Sequence, residues 1–116
     1  VKTPSGKTVV EVLSGGNQQK VILARCMARN AKIILLDEPT VGIDVGAREE
    51  IYALISEFVS EGAAVVLASS DMNEVLSTAD RIAVLAHGRI VTVLEKEEAT
   101  EEKLLLYAMG DDTYER

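Results

Sequence analysis

Two short stretches, Lys32-Ile-Ile-Leu-Leu-Asp37 and Ala63-Ala-Val-Val-Leu-Ala68, limit most strongly what this chain can become. Each is a brief apolar run rich in β-formers, and each is read as a buried strand; the first closes at Pro39. Between them, Ile51, Leu54, Ile55, Phe58 and Val59 recur at i, i+3, i+4, i+7 and i+8. This spacing predicts an amphipathic helix over Ala47 to Glu61, stopped by Gly62 at its C-terminal end. Strand, helix, strand, with both strands apolar throughout, specifies a parallel βαβ unit covered on both faces. The fold class is α/β.

The remaining elements extend this core. Ser14 is placed to cap an early helix from about Gly16 to Arg29. Asp71 caps a short helix, with Glu74 as its capping-box partner. Arg81 to Ala86 and Arg89 to Leu94 read as strands joined by His87-Gly88, a hairpin signal. Thr100 caps a last helix, Glu101 to Met109, whose first-turn acids suit the helix dipole. The tail GDDTYER is expected to fray.

At 116 residues the chain is one domain at most. Its net charge of −7 argues against a general nucleic-acid binder, which needs clustered Lys and Arg. The acidity is concentrated between Glu95 and Arg116, where eight acidic residues face three basic ones, as in a solvated helix and tail. The single cysteine, Cys26, excludes an internal disulfide and a multi-cysteine zinc site, and LARCMA reads as a buried apolar setting. No apolar run approaches the roughly 18 residues that span a bilayer, and no signal peptide is visible, so a soluble chain is expected.

Three stretches bear on chemistry. Ser5-Gly6-Lys7-Thr8 has the ending of a P-loop, G-x-x-x-x-G-K-[ST], but Val1 stands where the first glycine should be. It also lacks a preceding strand, and Thr8-Val9-Val10 is a poor helix start, so it reads as a polar loop. Leu13-Ser-Gly-Gly-Asn-Gln-Gln-Lys20 sets a hydroxyl and unobstructed amides at the positive end of a helix, a receptor for an anion such as phosphate. For S-G-G alone, a capped helix with a flexible lead-in is the favoured reading. In Ile33-Ile-Leu-Leu-Asp-Glu-Pro-Thr40 two carboxylates leave the C-terminal end of a parallel strand, where open α/β sheets bind ligands. Adjacent strand residues point opposite ways, so Asp37 and Glu38 need different partners unless Pro39 turns the backbone. One carboxylate holding hydrated Mg²⁺ and the other acting on water would suit phosphoryl transfer; an exposed turn is the plainer alternative.

Taken in order, LSGGNQQK, a helix, an apolar strand with DEPT and then G-I-D resemble the ATP-binding cassette of ABC transporters. The resemblance runs from about Val12 to the end. The NQQK ending, DEPTVGIDVGA, SSDMNEVL and DRIAVLAHGRIV look most like the second cassette of bacterial importers for ribose, xylose and galactose. It implies a partial P-loop NTPase core: parallel βαβ strands, a C-terminal hairpin and a helix, without the Walker A half. Residues 1–30 would be the end of the helical subdomain, and residues 31–116 the Walker B side of the core. Ser14 and the amides of Gly15, Gly16 and Asn17, with Gln18 beside them, would clamp the γ-phosphate of ATP held by a head-to-tail partner cassette. Asp37 would be the Walker B aspartate, serving Mg²⁺ through water, and Glu38 the catalytic glutamate. Asp44 falls in the D-loop that couples the two sites.

The pattern departs from the family in two places. Ser70 stands where many cassettes carry a switch histidine, as is frequent in second cassettes of sugar importers, and puts a neutral hydroxyl at that position. Val41 replaces an expected arginine. His87 lies in the hairpin turn and is read as solvated. The resemblance implies ATP and Mg²⁺ as ligands, and as partners a second cassette, membrane permease subunits and, indirectly, a periplasmic sugar-binding protein, but no nucleic acid. It places the protein at the cytoplasmic face of the inner membrane, where it would couple ATP hydrolysis to sugar import. With the P-loop strand absent, the fragment alone is expected to be inactive and its sheet edges open to self-association. Alternatives are an ABC-type ATPase of DNA repair, chromosome organisation or translation, or a non-catalytic cassette supplying only the signature clamp. In this setting Ser5-Gly6-Lys7-Thr8 is a polar connection ahead of the signature.

Overall fold

The computed structural model describes residues 15–110, which fall into two compact units divided between Ala68 and Ser69. Ser5-Gly6-Lys7-Thr8, the Ser14 hydroxyl and the GDDTYER tail lie outside the described residues, apart from Gly110.

The first unit contains helix α1 (Gly15–Ala28), strand β1 (Ile33–Asp37), helix α2 (Val45–Ser60) and strand β2 (Ala64–Ala68). The two strands pair in parallel, with Ile33 opposite Ala64 and Asp37 opposite Ala68. This is the βαβ unit expected from the two apolar runs. Helix α2 begins earlier than the periodicity suggests, because Asp44 caps it by accepting a hydrogen bond from the Ala47 amide at 2.9 Å. Its far end closes in a Schellman motif. The Gly62 amide bonds the Val59 carbonyl, the Ala63 amide bonds the Phe58 carbonyl, and Gly62 takes the left-handed backbone (φ 100°) that the motif needs. Leu23, Ile43, Ile51 and Ile55 form the buried cluster, with Leu36, Val65 and Leu67 packed against it.

One expectation about this unit is corrected. The strands are covered on one face only: Ile34 is buried, whereas Ile33, Leu35 and Val66 are 68%, 76% and 58% exposed. The helices reach only the alternate side chains, and period-two geometry sends the others to the opposite face. A continuous apolar run therefore marks a two-sided strand even where one side has no cover among the described residues.

The second unit contains helix α3 (Met72–Thr78), strands β3 (Arg81–Ala86) and β4 (Arg89–Glu95), a 3₁₀ turn (Lys96–Glu98) and helix α4 (Glu101–Ala108). The strands form an antiparallel hairpin with Ala86 opposite Arg89 and a bulge at Val84/Leu85. His87 and Gly88 both have positive φ, 53° and 75°, the pattern of a type I′ turn whose twist suits a two-residue hairpin. Ile82, Val84 and Leu94 alternate onto one face and are buried with Leu104 of α4. Thr100 caps α4 through the Lys103 amide, as its sequence predicts. No helix among the described residues is long and apolar enough to cross a membrane.

Candidate functional site

Asp37 ends β1, exposed, and the parallel ladder runs one residue further: the Glu38 amide donates to the Ala68 carbonyl at 2.7 Å. Glu38 then turns sharply, with φ of 47°. For a residue with a Cβ this left-handed conformation costs about 1–2 kcal/mol, and it persists only where the surroundings fix it. The sequence posed the question of whether two neighbouring carboxylates can serve one site. The backbone does turn between them.

Several contacts over-determine that turn. The Val41 amide donates to the Glu38 carbonyl at 3.3 Å and the Ile43 amide to the Thr40 carbonyl at 3.1 Å. Thr40 is only 2% exposed, and its hydroxyl lies 3.5 Å from the Tyr52 hydroxyl. Arg48 Nε donates to the Ile43 carbonyl at 2.9 Å. From α1, Gln19 Nε2 donates to the Pro39 carbonyl, also at 2.9 Å. Asp44 follows as the cap of α2, a structural task not foreseen in reading it as a coupling residue.

The signature segment enters the same unit. Gly15 and Gly16 open α1, whose first turn carries no acidic residue, and Asn17 and Gln18 are half-buried. Gly16 is buried for a reason separate from any ligand. A Cβ there would stand 2.8 Å from the Ala47 Cβ and 3.6 Å from Ile43 Cγ2. The glycine thus lets the first turn of α1 lie against the start of α2. Farther along, Lys20 pairs with Glu50. Gln19, Tyr52, Arg48 and Thr40 were missed in the sequence, since an amide bonding a carbonyl twenty residues away leaves no periodic mark.

In the second unit, Ser70 is exposed, and Ser69, Asp71 and Glu74 around it are hydrogen-bonded to one another. Asp71 Oδ1 accepts from the amides of Asn73 and Glu74, so it caps α3 as expected. The Ser69 hydroxyl lies beside this cap. The Glu74 carboxylate, in a residue only 3% exposed, accepts from the Ser69 hydroxyl, and the Asp71 amide donates to that same hydroxyl at 3.0 Å. The Ser69 hydroxyl thus bridges the Asp71 amide and the Glu74 carboxylate.

These groups can be weighed against the implied ligands. The described residues hold no cluster of three metal-ligating side chains. Asp37 alone, exposed at a strand end, fits hydrated Mg²⁺, which takes one or two carboxylates and keeps water and phosphate oxygens. The amides opening α1 fit a phosphate. Two shallow hollows of about 120 and 470 Å³ are lined from α1 and the residue after it (Ile22, Arg25, Cys26, Arg29) and from α1 with α2, including Lys20 and Glu50. Neither includes Asp37, Glu38 or the signature glycines.

Comparison with known proteins agrees with this geometry. The ABC transporter family model matches residues 2–41. A solved ATP-binding cassette of an ABC transporter in its ADP conformation superposes with a TM-score of 0.68 at 25% identity, covering 90% of this chain and 39% of that one. Fold and motif order together are those of an ABC ATP-binding cassette. Among curated relatives, a provisionally named ribose/galactose/methyl galactoside import ATP-binding protein of Halalkalibacterium halodurans is 54% identical over 95% of the chain. The xylose import ATP-binding protein XylG of Moorella thermoacetica is 52% identical over the same share. The chain is a homologue of sugar-import ATP-binding proteins, and it spans about a fifth of their length, 21% and 22% in these two cases.

Proposed function

We propose that this chain is the signature-to-switch portion of a second cassette, within an ATPase subunit that couples ATP binding and hydrolysis to sugar import. The observation that carries the reading is the packing of the signature helix directly against the turn that follows Asp37 and Glu38. An anion-receiving helix start and two carboxylates are thereby built into one small unit.

The roles divide as follows. Glu38, lifted out of the strand by its left-handed backbone, acts as general base on the attacking water. Asp37 would hold Mg²⁺ through water, and the ion would supply charge neutralisation for phosphoryl transfer. Ser14 and the amides of Gly15, Gly16 and Asn17, with Gln18, clamp the γ-phosphate of ATP held by a head-to-tail partner cassette. Asp44, fixed as a helix cap, sits where the two sites couple. Ser70 contacts the γ-phosphate at the switch position, between Ser69 and Asp71, which are themselves hydrogen-bonded. Greater affinity of ATP for the closed cassette pair drives closure, and hydrolysis releases it. The pair docks on membrane permease subunits at the cytoplasmic face of the inner membrane, which a periplasmic sugar-binding protein supplies. A second reading, a cassette that supplies only the clamp, is favoured by the neutral hydroxyl of Ser70.

Two measurements test the proposal. Calorimetric titration of the 116-residue chain with MgATP should show no saturable binding at millimolar nucleotide; a micromolar dissociation constant would overturn that expectation. In the full-length subunit, Ser14→Ala should lower ATPase turnover. Unchanged turnover would remove the signature from the mechanism.

A further inference from the structure

We infer that Gln19 is a positioning residue, whose amide ties the signature helix to the turn carrying Glu38, so that the two move as one body within a cassette. The tie is a hydrogen bond from Gln19 Nε2 to the Pro39 carbonyl, 2.9 Å long, partly buried and twenty residues apart in sequence. Its acceptor belongs to the residue immediately after Glu38, which holds the strained φ of 47°. A left-handed non-glycine residue needs its neighbours to keep it there.

Tyr52 and Arg48 of α2 also tie this turn. Gln19 supplies a side-chain hydrogen bond from α1, and on the same helix Gly16 leaves no room between α1 and Ala47. A displacement at the start of α1 therefore acts on Pro39, and through one peptide unit on Glu38. If the proposed function holds, on which this step rests, ATP engaged by the signature on the partner's site would bias the Glu38 carboxylate of the signature's own cassette. Such a bias needs no contact between Gln19 and any ligand.

Hydrogen exchange on the 116-residue chain tests the tie by itself. Gln19→Glu keeps the side-chain shape but replaces the donor with an oxygen facing the carbonyl. The Val41 and Ile43 amides, which close the turn, should then exchange roughly three- to tenfold faster, the range that follows from one side-chain hydrogen bond. Strand amides of Leu35 and Val66 should be unchanged. Gln19→Lys, which restores a donor, should recover most of the protection, and Gln19→Ala serves where the glutamate variant does not fold. Equal exchange in wild type and Gln19→Glu, or equal acceleration by Glu and Lys, would overturn the inference.

In the full-length subunit, Gln19→Glu should lower kcat about tenfold with KM for ATP within about twofold, because it acts on Glu38 rather than on binding. A raised KM with unchanged kcat would contradict it. A wild-type subunit without ATPase activity would instead strike the proposed function, and the exchange result would still decide whether Gln19 holds the turn.

Discussion

Glu38 has a conformational task and a proposed chemical one, and the two can be separated by substitution. Glycine adopts its left-handed backbone without a Cβ penalty, although it is more flexible when unfolded. Glu38→Gly should therefore stabilise the chain by roughly 0.5–1 kcal/mol in urea titration while removing the carboxylate. A loss of stability would mean that the Glu38 side chain contributes more than its strain costs. Gly16 gives the opposite case. Gly16→Ala meets Ala47 at 2.8 Å and should cost about 1–3 kcal/mol as overpacking. Because the clash is with one atom, Ala47→Gly in the same chain should recover most of the loss. A double-mutant cycle with no coupling would show that the two helix starts do not touch as described.

At the scale of elements, caps and turns were the most legible features, because each is decided by a few adjacent residues. Asp71, Thr100, Gly62 and His87-Gly88 all act where their local chemistry predicts. What sequence could not supply was the partner of a polar side chain across the fold, such as Gln19 on Pro39 or Tyr52 beside Thr40. The network at Ser69 shows the intermediate case: Glu74 lies in the expected capping-box position, and its bond from a neighbouring hydroxyl was not foreseen. Ser69→Ala removes a donor from a buried carboxylate and should cost about 1–3 kcal/mol, read as a shift of the urea midpoint. The cost should fall in a Glu74→Gln background, where the buried group is neutral. An equal cost in both backgrounds would contradict the network.

For the molecule as a whole, the two-stranded sheet of the first unit keeps one face apolar and open at Ile33, Leu35 and Val66. Sequence pattern identified these strands as two-sided, and it could not say what lies on the second side, because that depends on chain packed from elsewhere. We expect the 116-residue chain to self-associate through this sheet with rising concentration, since open apolar strands bury surface by pairing. Leu35→Lys should return it to monomer in sedimentation velocity, with its hydrogen-exchange pattern preserved. A wild-type chain that stays monomeric at high concentration would contradict this expectation. At this scale our proposal is that the turn after Asp37 carries the base of an ATP-hydrolysing cassette. The most direct test is steady-state ATPase turnover of the full-length subunit with Glu38→Gln. Loss of the general base predicts a fall of about 10²–10⁴-fold in kcat, and an unchanged kcat would place the chemistry at another site.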